Sequence, residues 1–270
     1  MAIFTALGEK ILDFNKLIDP SVAASYLNDL RPIAASVLAI FIIWRFIEIM
    51  LGNAKKTHSE TGIEILVWAI IWGFVFNSSY LSMVQNGINE VYNYFGGGIK
   101  FFNNLDNWWE KLYKAGEILY EKDDDYIPFR GALALFVVLL ASFVLNMIPL
   151  FIILISSLIN NILVALAPFM LLALIFPSLR KTFYNWVEML LTIFLVVLII
   201  SIIQKSLTPI IDTFTNNVIA TANASTAGSV TGEALEVLVV CAVYAVLFLA
   251  SVPIAKTIGG SSHHFGVGKH

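Results

Sequence analysis

The side chains that could do chemistry in this sequence are amides and hydroxyls within its most apolar stretch. Residues 131 to 179 contain no Asp, Glu, Lys, Arg or His, yet they include Ser142, Asn146, Ser156, Ser157, Asn160 and Asn161. In hydrocarbon such groups need hydrogen-bond partners, and between membrane helices each contact contributes about 0.6 to 2 kcal/mol. We therefore expect these residues either to join helices, within one subunit or between copies, or to line a wet passage.

The spacing of this polarity is helical. Ser142, Asn146, Pro149, Ile153, Ser156 and Asn160 follow one another at steps of four, three, four, three and four. On a helix these steps form one stripe, which we call the polar stripe. We interpret the stripe as an oligomer seam or an internal packing contact, with the lining of a conduit as the alternative.

No enzyme-like constellation accompanies the stripe. The sequence contains no nucleophile elbow, phosphate loop, zinc-type His pair or CxxC. His263 and His264 are adjacent and therefore poor joint metal ligands. The absence of ionisable groups from residues 131 to 179 also argues against a proton-coupled transporter. We expect no catalytic residue, no cofactor and no metal site.

Composition identifies the class of protein. The chain is 59% hydrophobic and 13% charged, whereas soluble domains have about a quarter of their residues charged. Its formal net charge of -3 gives no basic surface that would make nucleic-acid binding its primary activity. We predict an all-α fold, a polytopic transmembrane helical bundle of about five spans.

The polar and apolar segments divide the chain into regions. These are an N-terminal amphipathic helix (1–30), two transmembrane spans (31–82), an external loop (83–129), a C-terminal transmembrane core (130–256) with an external segment (206–234), and a flexible cytoplasmic tail (257–270). Arg45 and Glu48 are three residues apart in the first span, close enough on a helix to pair. In the 83–129 loop a short amphipathic helix is expected, with Trp108 and Trp109 as membrane-interface anchors.

Charge placement predicts the topology. Residues 131 to 179 would measure about 73 Å as one helix, against a hydrocarbon thickness of about 30 Å. Basic residues at 55–56, 180–181 and 256 favour the cytoplasmic side. We infer one crossing plus a kinked or re-entrant piece, which gives five spans with an external N-terminus and a cytoplasmic C-terminus. The alternative is a plain hairpin in this segment, and hence six spans.

Two motifs stand out in the second half of the chain. The first, in residues 161 to 203, is an apolar helix with a proline-marked break, a short basic turn and an aromatic opening of the next helix. Its residues are Ala167, Pro168, Phe176, Arg180, Phe183 and Trp186. The second motif closes the last span with Pro253, Ala255, Gly259 and Gly260. Both motifs resemble the TrbL family, the polytopic inner-membrane subunits of bacterial type IV secretion systems, and the resemblance implies that the external side is the periplasm.

The resemblance implies a nonenzymatic assembly and conduit role. Family members are understood to form a homo-oligomer, reported as a pentamer, at the base of the periplasmic stalk. They support pilus biogenesis and the transfer of DNA or protein. The implied partners are a minor pilin or stalk protein, other type IV secretion inner-membrane subunits and ATPases, the lipid bilayer, and transient DNA or protein substrate. The alternative function is a small-molecule or ion transporter or permease subunit.

Overall fold

A computed structural model describes residues 3–15, 20–51, 58–97, 99–121, 129–176, 179–224 and 230–260. Within these residues the protein consists of eight α-helices and one π-helical turn, without a β-strand. The helices are α1 (Ile3–Asn15), α2 (Pro20–Met50), α3 (His58–Val75), α4 (Ser78–Tyr92), α5 (Ile99–Glu121), α6 (Phe129–Ala173), α7 (Arg180–Ala224) and α8 (Val230–Gly260), and the π-helical turn spans Asn93–Gly97. The predicted all-α polytopic fold class is confirmed.

Four helices in the described ranges are long and apolar enough to cross a membrane. They are Arg31–Met50 of α2, Phe129–Ala173, Arg180–Val218 of α7 and Gly232–Gly260 of α8. The second of the two spans predicted within residues 31–82 is instead divided between two helices, because α3 ends at Val75 and α4 begins at Ser78. Asn77 and the serines after it are residue types that favour helix starts over helix interiors.

The long uncharged segment forms one helix. α6 runs from Phe129 to Ala173 without reversing, so neither the expected re-entrant piece nor the hairpin that six spans would require is formed. The predicted break at Pro168 is corrected as well, since the helix continues through the proline and ends five residues later. The helix then tightens, with Leu174 N–H donating to Leu171 O at 3.2 Å and Ile175 N–H to Leu172 O at 3.1 Å.

Two segments expected to be loops are largely helical. Residues 83 to 129 include the end of α4, the π-helical turn and α5, and α7 continues through residues 206 to 224. The polar composition of that part of α7 is compatible with a helix because its hydroxyls bond back to the carbonyl four residues earlier. Thr208, Thr213 and Thr215 make such bonds at 3.0, 2.9 and 2.8 Å. The start of the predicted tail, residues 257 to 260, belongs to α8, and residues 261–270 lie outside the described residues.

The chain forms two compact units. Unit one comprises residues 1–14, 91–159 and 191–270, and unit two comprises residues 15–90 and 160–190. The core of unit one is aliphatic and aromatic, with Leu105, Leu112, Leu145, Ile200 and Phe248 fully buried.

Unit two has an aromatic core. Phe41 of α2 packs on Trp68 of α3, with ring centroids 4.7 Å apart. Val75 is buried among residues from the ends of α3 and α6, which include Phe76 and Phe169. The apolar span of α2 itself is not buried by the rest of the protein, and exposed side chains such as Ile40 and Trp44 are suited to contact lipid.

Candidate assembly and conduit site

Pro168 lies inside α6 and removes one backbone hydrogen bond from it. Proline has no N–H, and its ring pushes against the carbonyl four residues earlier, which here belongs to Val164. Gln85 Nε2 of α4 donates to the Val164 carbonyl at 3.4 Å, and the Gln85 side chain is buried. A side chain from a second helix therefore supplies the donor that the proline lacks.

Trp186 of α7 covers the neighbouring carbonyl. Its Nε1–H donates to Leu163 O at 3.0 Å, and the side chain is buried. Phe183, one turn earlier, packs beside the Trp186 ring with centroids 5.7 Å apart. Both members of this aromatic pair belong to the first family-like motif, which they connect to the α6 backbone at the proline.

The remaining residues of the first motif hold the connection between α6 and α7. Arg180 Nε donates to Leu174 O at 3.3 Å, so a cation covers a carbonyl just beyond the end of α6. Phe176 packs edge-on against Phe41 of α2, with centroids 6.2 Å apart. Ala167 is fully buried. The motif is thus a local structural element that ends one helix, turns and starts the next.

In unit one, the polar stripe is buried inside the chain. Ser142 and Asn146 are 0% exposed, and Ser156 and Ser157 are also buried. Asn146 Nδ2 donates to the Ser142 carbonyl at 2.8 Å, whereas its Oδ1 has no partner among the described residues. These placements agree with the packing alternative within one subunit.

The stripe continues into unit two at Asn160. Its Nδ2 donates to Asn89 Oδ1 of α4 at 3.0 Å, which joins two helices through an amide pair. Asn160 Oδ1 is buried without a partner in the described part of the chain. Asn161, next to it, is half-buried.

The second family-like motif is a small-residue face on α8. Ser251, Ala255 and Gly259 are four residues apart and all buried. A Cβ at Gly259 would overlap Thr192 Oγ1 and lie 3.2 Å from Thr192 Cα, so glycine permits close approach of α8 to the α7 backbone. Pro253 is exposed and Gly260 is half-buried.

Two charged residues in the apolar span of α2, Arg45 and Glu48, lie close together. Arg45 Nη1 and Glu48 Oε2 are 2.5 Å apart, and Trp44 Nε1 donates to the other carboxylate oxygen at 3.3 Å. Both charged side chains are partly exposed. Pairing lowers the cost of placing these charges in an apolar helix.

A polar contact between α5 and α7 was not foreseen from the sequence. Three α7 side chains bond to α5 at steps of four, namely Gln204, Thr208 and Asp212. Ser201, three residues before Gln204, extends the same face and bonds to the π-helical turn. The spacing alone could have revealed this second stripe, but the surrounding Thr, Asn and Ser residues suggested a loop. Within unit one, this second stripe lies along the buried face of α5, which contains Trp108.

The residues that bond across this contact occur in the same order along α5 and along α7. Gln204 accepts from Asn104 Nδ2 at 3.3 Å and donates to the Phe101 carbonyl at 3.1 Å. Trp108 Nε1 donates to Thr208 Oγ1 at 3.2 Å, and Lys111 pairs with Asp212. Since residue numbers rise together on both helices, α5 and α7 run parallel.

This contact corrects one expectation. Trp108 is 1% exposed and packs inside unit one, so it is not an anchor at the membrane surface. The helical pattern required one buried face, and Trp108 lies on that face with Leu105 and Leu112. Trp109 is half-buried and packs on Phe4, with centroids 6.1 Å apart.

Asp106 of α5 holds the N-terminus of α1. Its two carboxylate oxygens accept from the backbone N–H groups of Phe4 and Thr5 at 2.8 and 2.7 Å, and the Thr5 hydroxyl also donates to it. A carboxylate is favourable at a helix start because the N–H groups there have no helical acceptor. α1 is therefore attached to unit one by a capping interaction between helices.

The described part of the chain has no group of three or more His, Cys, Asp or Glu residues that could hold a metal ion. Its polar groups instead connect helices and cover backbone carbonyls. His263 and His264 fall outside the described residues.

The comparisons with known proteins agree with this architecture. No curated protein matches the chain. The family model described as TrbL/VirB6 plasmid conjugal transfer protein matches residues 38–251. The match includes the first family-like motif, whereas the second motif, which begins at Pro253, lies beyond it. This family consists of conjugation components rather than known enzymes. The chain is a membrane-embedded member of the TrbL/VirB6 family, a component of conjugal transfer by type IV secretion.

Proposed function

We propose that the chain is an inner-membrane assembly and conduit component that forms a homo-oligomer at the base of a periplasmic stalk. In this role it supports pilus biogenesis and the transfer of DNA or protein, together with other inner-membrane subunits and ATPases. The observation that carries the proposal is the family match over residues 38–251. A pentamer is the subunit number that the resemblance implies.

The α1–α5 layer is the surface that we assign to the stalk protein. α5 is held to α7 by side-chain bonds and carries α1 through Asp106, so its outer face is presented on a supported helix. That face is polar, with exposed Asn103, Asn107 and Glu117, and it includes the exposed aromatic rings of Tyr113 and Tyr120. Exposed tyrosines within polar surroundings are typical of protein interfaces.

Site-specific photocrosslinking tests this assignment. A photoreactive amino acid at Tyr113 is expected to crosslink to the minor pilin or stalk protein in conjugating donor cells. The same amino acid at Tyr184, an exposed tyrosine in unit two, is the matched control and is expected not to crosslink to it. Crosslinking from Tyr184 alone would refute the assignment.

The proposed orientation has a periplasmic N-terminus and a cytoplasmic C-terminus. Arg180 and Lys181 begin α7 and Lys256 lies near the end of α8, so two successive crossings return these cations to one side. In a Cys241→Ala background, cysteines at exposed positions 181 and 257 should react only after the inner membrane is opened. A cysteine at exposed position 107 should react in intact spheroplasts. The reverse pattern would refute the orientation.

Oligomerisation through the polar stripe stays a prediction. Burial of Ser142, Asn146 and Asn160 within the chain supports the packing alternative, and the Asn160–Asn89 amide pair supports it further. The double substitution Asn160→Leu and Asn161→Leu distinguishes the two on native gels. Loss of the oligomer with intact membrane insertion indicates a seam between copies, and an unchanged oligomer indicates internal packing.

Gene deletion separates secretion from small-molecule transport. We expect donor cells that lack the gene to lose both plasmid transfer and pili, and the intact gene to restore both. Adjacent genes for secretion ATPases and a pilin precursor would support the same role. Full transfer and normal pili in the deletion strain would contradict it.

A further inference from the structure

Unit one contains a cleft at the junction between the π-helical turn, α5 and α7. Its volume is about 840 Å³. The cleft is lined by the turn on one side, including Tyr94 and Gly96, by the first turns of α5, and by Ser201, Gln204 and Lys205 of α7. A cleft of this size can hold a group as large as a lipid headgroup together with part of its glycerol.

The charge of the cleft is positive. Lys100 of α5 and Lys205 of α7 both line it and are exposed, and no Asp or Glu is among its lining residues. Within the described residues neither lysine makes an ion pair. Asn104 contributes a further amide donor, and the first N–H groups of α5 have no helical acceptor. These groups together favour an anion that carries several acceptor oxygens.

The position of Lys205 along α7 indicates the depth of the cleft in the membrane. Residues 189 to 204 are uncharged, so Lys205 is the first charge after an apolar stretch of about 24 Å at 1.5 Å per residue. A lysine at the end of such a stretch extends to the headgroup region. Tyr94, which is 87% exposed at the rim, is a residue type enriched at the same level.

The surface next to the cleft is apolar. Ile202 precedes Lys205 by three residues and is exposed, and the Phe95 ring packs near Phe194 of α7 at 6.3 Å between centroids. Acyl chains that extend from a headgroup in the cleft could lie along this side of α7. A free phosphate ion would use the lysines but gain nothing from the apolar surface.

We propose that this cleft binds the phosphate headgroup of an anionic phospholipid, with Lys100 and Lys205 as its two cationic contacts and the α7 surface beside Ile202 as the site of an acyl chain. The inference requires only that the protein is embedded in a membrane, and it does not depend on the proposed role at the stalk. A bound lipid would bridge α5 and α7 at the end where Ser201 Oγ donates to the Phe95 carbonyl at 2.6 Å.

Native mass spectrometry of the purified full-length protein in detergent tests the proposal. The probe is dioleoyl phosphatidylglycerol, with dioleoyl phosphatidylcholine as the zwitterionic comparison. We expect phosphatidylglycerol to bind preferentially, and the double variant Lys100→Gln and Lys205→Gln to bind it about tenfold more weakly, because each cation near an anionic headgroup contributes attraction. The matched control is Lys10→Gln with Lys114→Gln, which removes the same charge from exposed positions outside the cleft.

Three outcomes would overturn the proposal. The first is equal affinity of the wild type and the cleft variant for phosphatidylglycerol when both have the same helicity by circular dichroism. The second is an equal loss in the control variant, which would indicate a diffuse charge effect. The third is displacement of the lipid by equimolar glycerol 3-phosphate, which would assign the cleft to a soluble phosphate compound. Should the double variant fail to fold, Lys205→Arg must retain binding and Lys205→Gln alone must weaken it.

Discussion

The α5–α7 contact and the region around Pro168 both rely on polar side chains, but those side chains have different acceptors. Between α5 and α7, side chains bond largely to one another, as in the pairs Trp108–Thr208 and Lys111–Asp212. Around Pro168, the indole of Trp186 and the amide of Gln85 donate to backbone carbonyls of α6. Side-chain pairs select a neighbouring helix. The Gln85 amide instead supplies a donor to the one carbonyl, that of Val164, which Pro168 leaves without a helical donor, and the Trp186 indole adds a second donor at the neighbouring carbonyl.

The difference follows from the surroundings of the two regions. Several α5–α7 partners are partly exposed, including both members of the Lys111–Asp212 pair, so the loss of one partner can be compensated by water. The carbonyls near Pro168 belong to buried residues in an uncharged stretch, where an unpaired acceptor has few alternatives. The energetic effect of a substitution should therefore be larger near Pro168 for an equal number of bonds removed.

The largest expected effect is at the entrance to the α5–α7 contact, where the backbone itself requires glycine. Gly96 has φ 113°, and a Cβ there would overlap Ser201 Oγ. Gly96→Ala is expected to lower the free energy of unfolding by about 3 kcal/mol, since strain of this kind costs about 1 to 3 kcal/mol before the overlap is added. Denaturant titration in detergent micelles measures the change.

Gly87→Ala is the control for this substitution. A Cβ at Gly87 meets no atom within 4 Å, and the residue lies inside α4. Its replacement is expected to be neutral or to stabilise by up to about 1 kcal/mol, because alanine favours the helical conformation. Equal destabilisation by both substitutions would contradict the role assigned to Gly96.

The second prediction concerns the indole N–H of Trp186, which donates to an α6 carbonyl near Pro168. Trp186→Phe removes the Nε1–H that reaches Leu163 O and keeps an aromatic ring. We expect a loss of about 1 kcal/mol, the net contribution of one hydrogen bond, because Leu163 O remains in register to accept from Ala167 N–H within α6. Trp44→Phe, at a tryptophan that is 61% exposed, is the control and should cost much less in the same titration. A reversed order of the two effects would refute the assignment.

The smallest effect is expected for the charged pair between α5 and α7. Asp212→Asn removes the partner of Lys111 and is expected to cost below about 1 kcal/mol, because both side chains are partly exposed. Hydrogen exchange of the α5 amides should rise at low salt and change little at high salt, where the pair is already screened. Glu110→Gln breaks only the Lys114 pair within α5 and should leave the α5–α7 contact intact. Salt-independent exchange in the Asp212 variant would contradict an ionic contribution.

The spacing of apolar residues predicted the helices better than the composition of each segment did. The spacing of apolar residues predicted the amphipathic helix that is α5, and its buried face includes Leu105 and Leu112. Composition was misleading for residues 206 to 224. The hydroxyls of Thr208 and Thr215 donate to backbone carbonyls of their own helix, and the segment is helical instead of a loop. Hydroxyl back-bonding is a property of the folded helix, and a count of polar residues does not reveal it.

The side chains that bond to the α6 carbonyls near Pro168 could not be predicted from the sequence, for a different reason. Pro168 and Trp186 were both recognised, but their connection depends on a register between α6 and α7 that neither helix encodes alone. Gln85 was not singled out, because one glutamine in a polar segment has many ordinary explanations. Its importance depends on the position of the Val164 carbonyl, which is a three-dimensional fact.

The central claim is that Gln85 replaces the hydrogen bond that Pro168 removes, and a double-mutant cycle tests it most directly. Gln85→Leu is expected to destabilise the native protein by about 1 kcal/mol, in the range of polar contacts between membrane helices. In a Pro168→Ala background the restored N–H can bond to Val164 O, so the same substitution should cost close to nothing. If Gln85→Leu instead costs the same with proline and with alanine at position 168, Gln85 does not act through the missing bond and the account is wrong.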